Sequence, residues 1–474
     1  MSGLLHVDVC VIGAGSGGLT VAAVAARMGA RVALVEKGEM GGDCLNSGCV
    51  PSKSLLAAAS RAAHARQARS FGILLPEPNV DWAAVHRHVR QVIDGIAPND
   101  SEERFEAMGV TVIRAAGRFV DRRTLQAGDR RIRARYFVLA TGSSPAIPDI
   151  PGLDGVAYWT NETIFANTGP VGHLLVIGGG PIGLEMAQAH RRLGAAVTVI
   201  EAVRCLPRDD PELAEIVLAR LRSEGITLHE GIRDLRVSGT DAGIVADFAT
   251  ADGPQRVAGT HLLVAAGRRA NVDGLDLEAA GVRYSAKGVQ TDARLRTSNR
   301  RIYAVGDVAG PYPFTHMAAY QAGIAIRNML FRWPARVDYA AVPWVTYTDP
   351  ELAHVGLSEA GAAEKGIDVR VVRWDFSDND RAIAERCTEG GIKVVVSPRG
   401  RVLGATIVGA QAGELILPWV LAVNERMRIG NMARVIAPYP TLAEISKRAA
   451  GRYFEPALFS GRMRRLVRLL LRLG

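Results

Sequence analysis

The feature that most restricts the fold is a unit of sequence that occurs twice. Near the start, an apolar run at residues 9–12 leads into Gly13-Ala14-Gly15-Ser16-Gly17-Gly18 and an alanine-rich stretch to Met28. A second strand, predicted at 31–35, then ends at Glu36, eighteen residues after Gly18. Far downstream, residues 174–177 lead into Gly178-Gly179-Gly180-Pro181-Ile182-Gly183 and a periodic stretch to Leu193. Residues 197–200 then end at Glu201, again eighteen residues after the third glycine. Both units predict strand, tight turn, helix, strand, acid. The first glycine (Gly13, Gly178) permits the turn. The second (Gly15, Gly180) lets a pyrophosphate approach the backbone, and the third (Gly18, Gly183) lets helix and strand pack. The N–H groups that open the helix suit phosphate, and Glu36 and Glu201 suit ribose hydroxyls. One such fingerprint alone is a weak signal. Two with matching spacing predict two dinucleotides, one flavin and one nicotinamide.

Composition closes off other classes. A chain of 474 residues exceeds one domain, and 48% apolar with 22% charged residues is ordinary for a globular protein. That excludes disorder, a collagenous chain and a disulfide scaffold. The net charge is +9, but five of those charges are arginines among the last fourteen residues, which hold no acid. The remainder is close to balanced, so no body-wide nucleic-acid footprint exists and no nucleic-acid partner is expected. Residues 9–26 are uncharged, yet four glycines interrupt them and Asp8 precedes them, so they read as strand, turn and helix rather than a leader or a span. The cysteines are Cys10, Cys44, Cys49, Cys205 and Cys387; so sparse and odd a set points to a reducing, cytoplasmic setting. Cys10 is expected in a core strand, and Cys205 and Cys387 in turn-like or surface segments.

The most specific segment is Gly41-Gly42-Asp43-Cys44-Leu45-Asn46-Ser47-Gly48-Cys49-Val50-Pro51-Ser52-Lys53. A ring this small removes little unfolded-state entropy, so a Cys44–Cys49 link makes a poor staple and a better redox pair. A helix predicted over 52–70, after Pro51, favours a thiolate at Cys49. Half a zinc site and an incidental pair are the competing readings; no partner cluster of Cys or His appears for zinc, and no metal site is expected. Further strands are predicted at 135–139, ending in Ala140-Thr141-Gly142, at 261–266, ending in Gly267-Arg268, and at 301–305, ending in Gly306-Asp307. A helix is predicted from about Thr315. Prolines at 145, 148 and 151 mark a rigid connector, and period-2 patches after 341 predict an antiparallel sheet.

In this order, together with Pro440-Thr441-Leu442 and Glu444, these motifs make the chain resemble the two-cysteine flavoprotein disulfide reductases over essentially its whole length. That family includes dihydrolipoamide dehydrogenase, glutathione reductase and mercuric reductase. The resemblance implies an α/β fold with two Rossmann-like dinucleotide-binding domains plus a C-terminal α+β dimerisation domain. The boundaries expected are a FAD-binding domain at 1–150, an NAD(P)-binding domain at 151–275, a central segment completing the FAD site at 276–340 and a dimerisation domain at 341–474. It implies FAD and NAD(P)H as cofactors and a homodimer. It also implies a route from NAD(P)H through FAD to the Cys44–Cys49 disulfide, with Cys49 against the flavin and Cys44 toward the acceptor. Lys53 and Glu185 look like the pair beside the flavin, and Asp307 like a ribityl ligand. Thr141, Gly142, Gly267 and Gly306 fall at the cofactor-binding turns. His316 reads equally well as a capping or packing residue.

One departure bears on the acceptor. Dihydrolipoamide dehydrogenase and glutathione reductase carry a His before Pro-Thr, oriented by a Glu five positions later. Here Glu444 is kept, and Tyr439 stands at the His position. A phenol of pKa near 10 is a poor proton shuttle beside an imidazole near 6.5. Mercuric reductases resemble this chain in having Tyr there, though they also share a C-terminal cysteine pair, and no Cys follows Cys387 here. The acceptor expected is a metal ion, a disulfide or another small electrophile. A dihydrolipoamide-dehydrogenase-like enzyme and an electron-delivery flavoprotein for a partner or membrane remain alternatives, and Tyr439 packing at a dimer interface is the plainer reading of that residue. Glu201 favours NADH, partly offset by Arg204. The last fourteen residues are expected to form a basic amphipathic helix, with Met463, Leu466, Val467, Leu470 and Leu473 on one face and Arg465, Arg468 and Arg472 largely on another. It would serve contact with a membrane surface or a partner protein, or pack on the protein itself.

Overall fold

The structure is a computed structural model and describes residues 3–241 and 243–473. The chain divides into two compact units, Met1–Ala202 with Thr227–Val337, and Val203–Ile226 with Asp338–Gly474.

At the centre of the first unit lies the strand Leu4–Ile12. It pairs in parallel with Val32–Glu36 on one side and Arg130–Leu139 on the other. Val110–Arg114 continues the sheet beyond the second strand, and Ile302–Ala304 pairs with Arg130–Leu139. Strands covered on both faces read as unbroken apolar runs, and Val9, Cys10 and Val11 are fully buried. The helices Ser16–Arg27 and Thr315–Met329 share one core cluster on this sheet. A second parallel set has the order Ile226–His229, Ala196–Ile200, His173–Ile177, His261–Val264, with the helix Pro181–Arg192 following the third of these. An antiparallel meander, Arg233–Thr240, Gly243–Thr250 and Gly253–Gly259, stands beside it.

Element boundaries differ from expectation where charge hides a strand or a proline suggests a stop. Arg130–Leu139 is twice the length read from its apolar end, because Ile132 and Ala134 alternate with exposed arginines. The helix expected after Pro51 instead starts at Cys49 and runs to Gln67, with a 3-10 turn at Ala68–Phe71. Proline is tolerated there because first-turn N–H groups have no helical partner to lose.

The second unit is built on a five-stranded antiparallel sheet in the order Pro343–Thr346, Glu351–Gly356, Val402–Gly409, Gly391–Val396, Arg370–Asp375. The helices Leu417–Asn424 and Glu444–Arg452 contribute Trp419 and Ile445 to its core, and Trp419 Nε1–H donates to Ser446 Oγ at 3.0 Å. Cys205 lies in a turn but is buried, and Cys387 is half-buried.

One charge sits deep in this unit. Lys393 Nζ donates to Asp210 Oδ2 at 2.7 Å and to Glu212 Oε2 at 3.0 Å, and lies 2.7 Å from Glu359 Oε2. Burial by itself lowers an ammonium pKa, but the three carboxylates outweigh it and raise that of Lys393. Removing the lysine leaves the carboxylate of Asp210, itself almost wholly buried, without its counter-ion. Lys393→Met is expected to cost about 3–5 kcal/mol, read as a lower denaturant midpoint. The double variant Lys393→Met/Asp210→Asn should recover part of that loss.

Candidate active site

Each glycine fingerprint forms a cradle, and the two are built alike. Gly13 has φ +104°, and a Cβ there would lie 2.3 Å from Ala140 O; a Cβ on Gly18 would lie 1.9 Å from Gly13 O. Gly178, with φ +113°, and Gly183 repeat these approaches at 2.5 Å to Ala265 O and 2.0 Å to Gly178 O. The middle glycines are different. Nothing crowds Gly180 within 4 Å, and Gly15 meets only Gly42 Cα at 4.0 Å. So the outer glycines are used up by backbone packing, and the middle ones open onto space where a pyrophosphate fits. Gly15 and Gly180 also cap their helices with no side chain, which leaves the first-turn N–H groups facing that space. Glu36 Oε2 accepts from Ala14 N–H at 2.6 Å, and Glu201 Oε2 accepts from Gly179 N–H at 2.6 Å. Each acid is thereby held at the lip of its cradle. The donor sets fit two dinucleotides.

Of the turns expected to bind cofactor, those at Thr141 and Gly142 and at Gly306 lie beside the first cradle, and Gly267 follows the strand end at Ala265 that closes on the second. Thr141 Oγ1–H donates to Asn271 O at 2.7 Å, and Gly142 takes a positive φ of +67°. Gly267 and Gly306 are also left-handed, at +128° and +73°, and Gly306 N–H donates to Gln321 Oε1 at 2.7 Å. Asp307 accepts from Ser143 Oγ–H at 2.5 Å, and burial raises its pKa against that hydrogen bond.

The cysteine loop is pinned from several sides. The short helix Gly42–Asn46 carries Cys44, and Cys49 is the first residue of the helix Cys49–Gln67. Cys44 is half-buried and Cys49 exposed. A hydrogen bond from Cys44 to Cys49 draws the Cys49 pKa down to about 6 against partial desolvation, helped by Thr315 and Lys53. The same bond and burial push Cys44 up. Thr315 Oγ1 lies 3.5 Å from Cys49 Sγ. The helix start adds its dipole to the thiolate. Lys53, one turn on, donates to Glu185 Oε2 at 2.7 Å, and the Glu185 side chain is only 6% exposed. Asp43 would repel the thiolate, but its carboxylate is engaged. Asn161 Nδ2–H donates to Asp43 Oδ1 at 3.0 Å and to Ser47 O at 3.2 Å, while Arg268 reaches Asp43 Oδ2 at 3.2 Å. Arg268 also donates to Ser143 Oγ at 2.7 Å, so one guanidinium ties the loop to the Asp307 turn.

Asn161 carried no signal in the sequence. Arg268 and Thr315 stood in recognised segments, but their contacts with the loop did not show there. His316 stacks on Phe314 with ring centroids 5.2 Å apart, a packing role. In the second unit Tyr439 is 68% exposed, and its Oη–H donates to Asp380 Oδ2 at 2.8 Å. Glu444, at the start of its helix, lies 3.8 Å from Arg448.

Two dinucleotide cradles and a polarised dithiol define a nucleotide-dependent redox protein. Residues 7–323 match the family described as pyridine nucleotide-disulphide oxidoreductase, and 342–450 match the dimerisation domain of that family. Among curated relatives, a mercuric reductase of Streptomyces lividans is 36% identical, covering 94% of this chain and 95% of its own. A dihydrolipoyl dehydrogenase of Geobacillus stearothermophilus is 32% identical, covering 94% and 96%. Among solved structures, LpdA from Mycobacterium tuberculosis superposes with a TM-score of 0.86 at 28% identity, covering 94% and 99%. A Cu(II) complex of the HOCl-induced flavoprotein disulfide reductase RclA from Escherichia coli gives 0.84 at 26%, covering 93% and 99%. The chain belongs to the pyridine nucleotide-disulphide oxidoreductases, enzymes that use FAD and NAD(P)H. Among the described residues no helix is long and apolar enough to cross a membrane.

The lowered Cys49 pKa has a direct readout. The thiolate persists above about pH 6 and is lost as pH falls through that value. The two-electron-reduced holoenzyme should show a long-wavelength thiolate-to-flavin band at pH 7 that fades with a midpoint near 6. Cys49→Ser should abolish the band. Lys53→Met should raise the midpoint by about one unit. A band that persists in Cys49→Ser would reassign the thiolate.

Proposed function

We propose that the protein is an NAD(P)H-dependent flavoprotein oxidoreductase that acts as a homodimer. Through Cys44 and Cys49 it delivers electrons to a soft metal ion, or to another small electrophile that needs no proton at a leaving group. When bound, FAD and NAD(P)H supply the hydride and electron chemistry. The chain's residues set the thiol pKa values, hold the loop and position the acceptor.

The observation that carries this reading is Tyr439 and its partner. Reducing a disulfide makes two thiols, so a proton must reach the departing sulfur. The Asp380 carboxylate, accepting from Tyr439, raises the phenol pKa above its ordinary value. Near neutral pH the phenol therefore stays protonated. It can donate a hydrogen bond or serve as a weak ligand, and it does not cycle a proton. Reducing a bound soft cation needs electrons and sulfur ligands, which Cys49 offers as a thiolate and Cys44 offers once the cation displaces its proton. The similarity to mercuric reductases at 36% identity supports the same acceptor class.

NADH is the proposed donor. The Glu201 carboxylate stands where a ribose hydroxyl is accepted and repels a 2′-phosphate. Arg204, the residue that could offset it, donates to the carbonyls of Pro207 and Asp209 at 2.8 and 3.1 Å.

The acceptor is tested by steady-state turnover of mercuric ion, cupric ion and lipoamide in wild type and Tyr439→His. Lipoamide turnover should be weak and rise about 10²-fold in the variant, the lower end of what a placed general acid contributes, while metal reduction falls. Wild-type lipoamide turnover equal to that of a dedicated dehydrogenase would refute the metal reading. For the donor, kcat/KM should favour NADH over NADPH by at least about tenfold, one favourable ribose contact against one repelled phosphate. A tenfold advantage for NADPH would overturn it.

A further inference from the structure

The helix Gly461–Leu470 buries none of its residues. Ser460 caps it, with Met463 N–H donating to Ser460 Oγ at 3.2 Å, so the helix has a defined start. At 3.6 residues per turn, Arg462, Arg464, Arg465 and Arg468 fall within an arc of roughly 160°, which Leu469 shares, and Arg472 follows in the turn after the helix. Leu466, Leu470, Met463 and Val467 occupy the opposite side, all exposed. Leu458 and Phe459, just before the cap, extend the exposed apolar surface. No acid lies in residues 461–474. The segment also lies beyond residues 342–450, the part of the chain shared with the dimerisation domain.

The two faces together select the occupant. A purely apolar protein groove could bury the leucines, but would leave five like charges without counter-ions. A nucleic acid could take the arginines, but would leave the leucines in water. An anionic lipid surface satisfies both at once: apolar side chains enter the acyl boundary, and guanidinium groups meet phosphates in the headgroup layer. The geometry points to this helix as an in-plane anchor that docks the enzyme on anionic membrane surfaces.

The test is co-sedimentation of the FAD-loaded protein with large vesicles of phosphatidylcholine alone or mixed with phosphatidylglycerol. Wild type should pellet with the mixed vesicles and not with phosphatidylcholine alone. Its apparent affinity should fall at least about tenfold when salt rises from low to well above physiological strength, since the Debye length then shrinks to a few ångströms. Truncation after Ser460 should remove binding. Two full-length variants, Arg464→Glu/Arg468→Glu and Leu466→Gln/Leu470→Gln, should each weaken it at least about tenfold, because both faces are needed. Unchanged NADH-dependent flavin reduction in every variant establishes that the fold is kept. Equal pelleting of truncated and full-length protein would overturn the proposal. So would a change of oligomeric state on truncation, which would assign the leucines to a second copy, or tighter binding to a duplex oligonucleotide than to the mixed vesicles.

Discussion

The ion pair between Lys53 and Glu185 is the interaction around which the first unit is arranged. It spans 132 residues of sequence and joins the helix that begins at Cys49 to the helix that follows the second glycine fingerprint. Lys53 stands four residues after Cys49, one turn along the same helix face, so its ammonium acts on the thiol above it. Glu185 fixes that ammonium in place, and its burial makes the pair costly to break, since a carboxylate there is shielded from water. Glu185 in turn stands two residues after Gly183, whose missing side chain lets its helix close onto Gly178. A packing constraint in one nucleotide cradle is thus converted into an electrostatic one at the thiols.

The dithiol gains its asymmetry from the same surroundings. Identical side chains in one small loop have opposite shifts, because one donates the hydrogen bond and the other receives it. Thr315, Lys53 and the helix start all act on Cys49. Cys44, on the preceding short helix, receives burial and the proton. Asp43 would work against the thiolate if it were loose, yet Asn161, Ser47 and Arg268 hold it. The loop therefore keeps one thiol ready as an anion and the other protonated before any acceptor arrives. That division suits separate roles for the two sulfurs.

What the sequence disclosed, and what it withheld, follows from the range of the forces involved. The two cradles were legible because each needs glycines, an apolar strand and an acid at fixed local spacing. The cysteine loop was legible because only six residues enclose it. The first half of Arg130–Leu139 was not, since arginines at every second position disguise a half-buried strand as a charged run. The start at Cys49 was missed because Pro51 reads as punctuation, although a first-turn proline loses nothing. Asn161 and Thr315 act on residues more than a hundred positions away, and no periodicity encodes such contacts. Asp380 reaches Tyr439 across 59 positions for the same reason.

At position 439 a phenol stands where the resemblance leads one to expect an imidazole, and on the proposed reading this bears on the acceptor. An enzyme that splits a disulfide must manage a departing thiolate, whose ordinary pKa near 8.5 calls for an acid that can give a proton at pH 7 and regain it. Tyr439, bound to Asp380, is held further from that range than a free phenol. The arrangement is a poor one for leaving-group protonation and a good one for keeping a neutral oxygen donor at a fixed place. A pre-formed thiolate at Cys49 removes one reason for a base as well, since its proton has already left at neutral pH. On the proposed metal reading, Cys49 meets the cation already as a thiolate, and only the Cys44 proton must leave when both sulfurs bind.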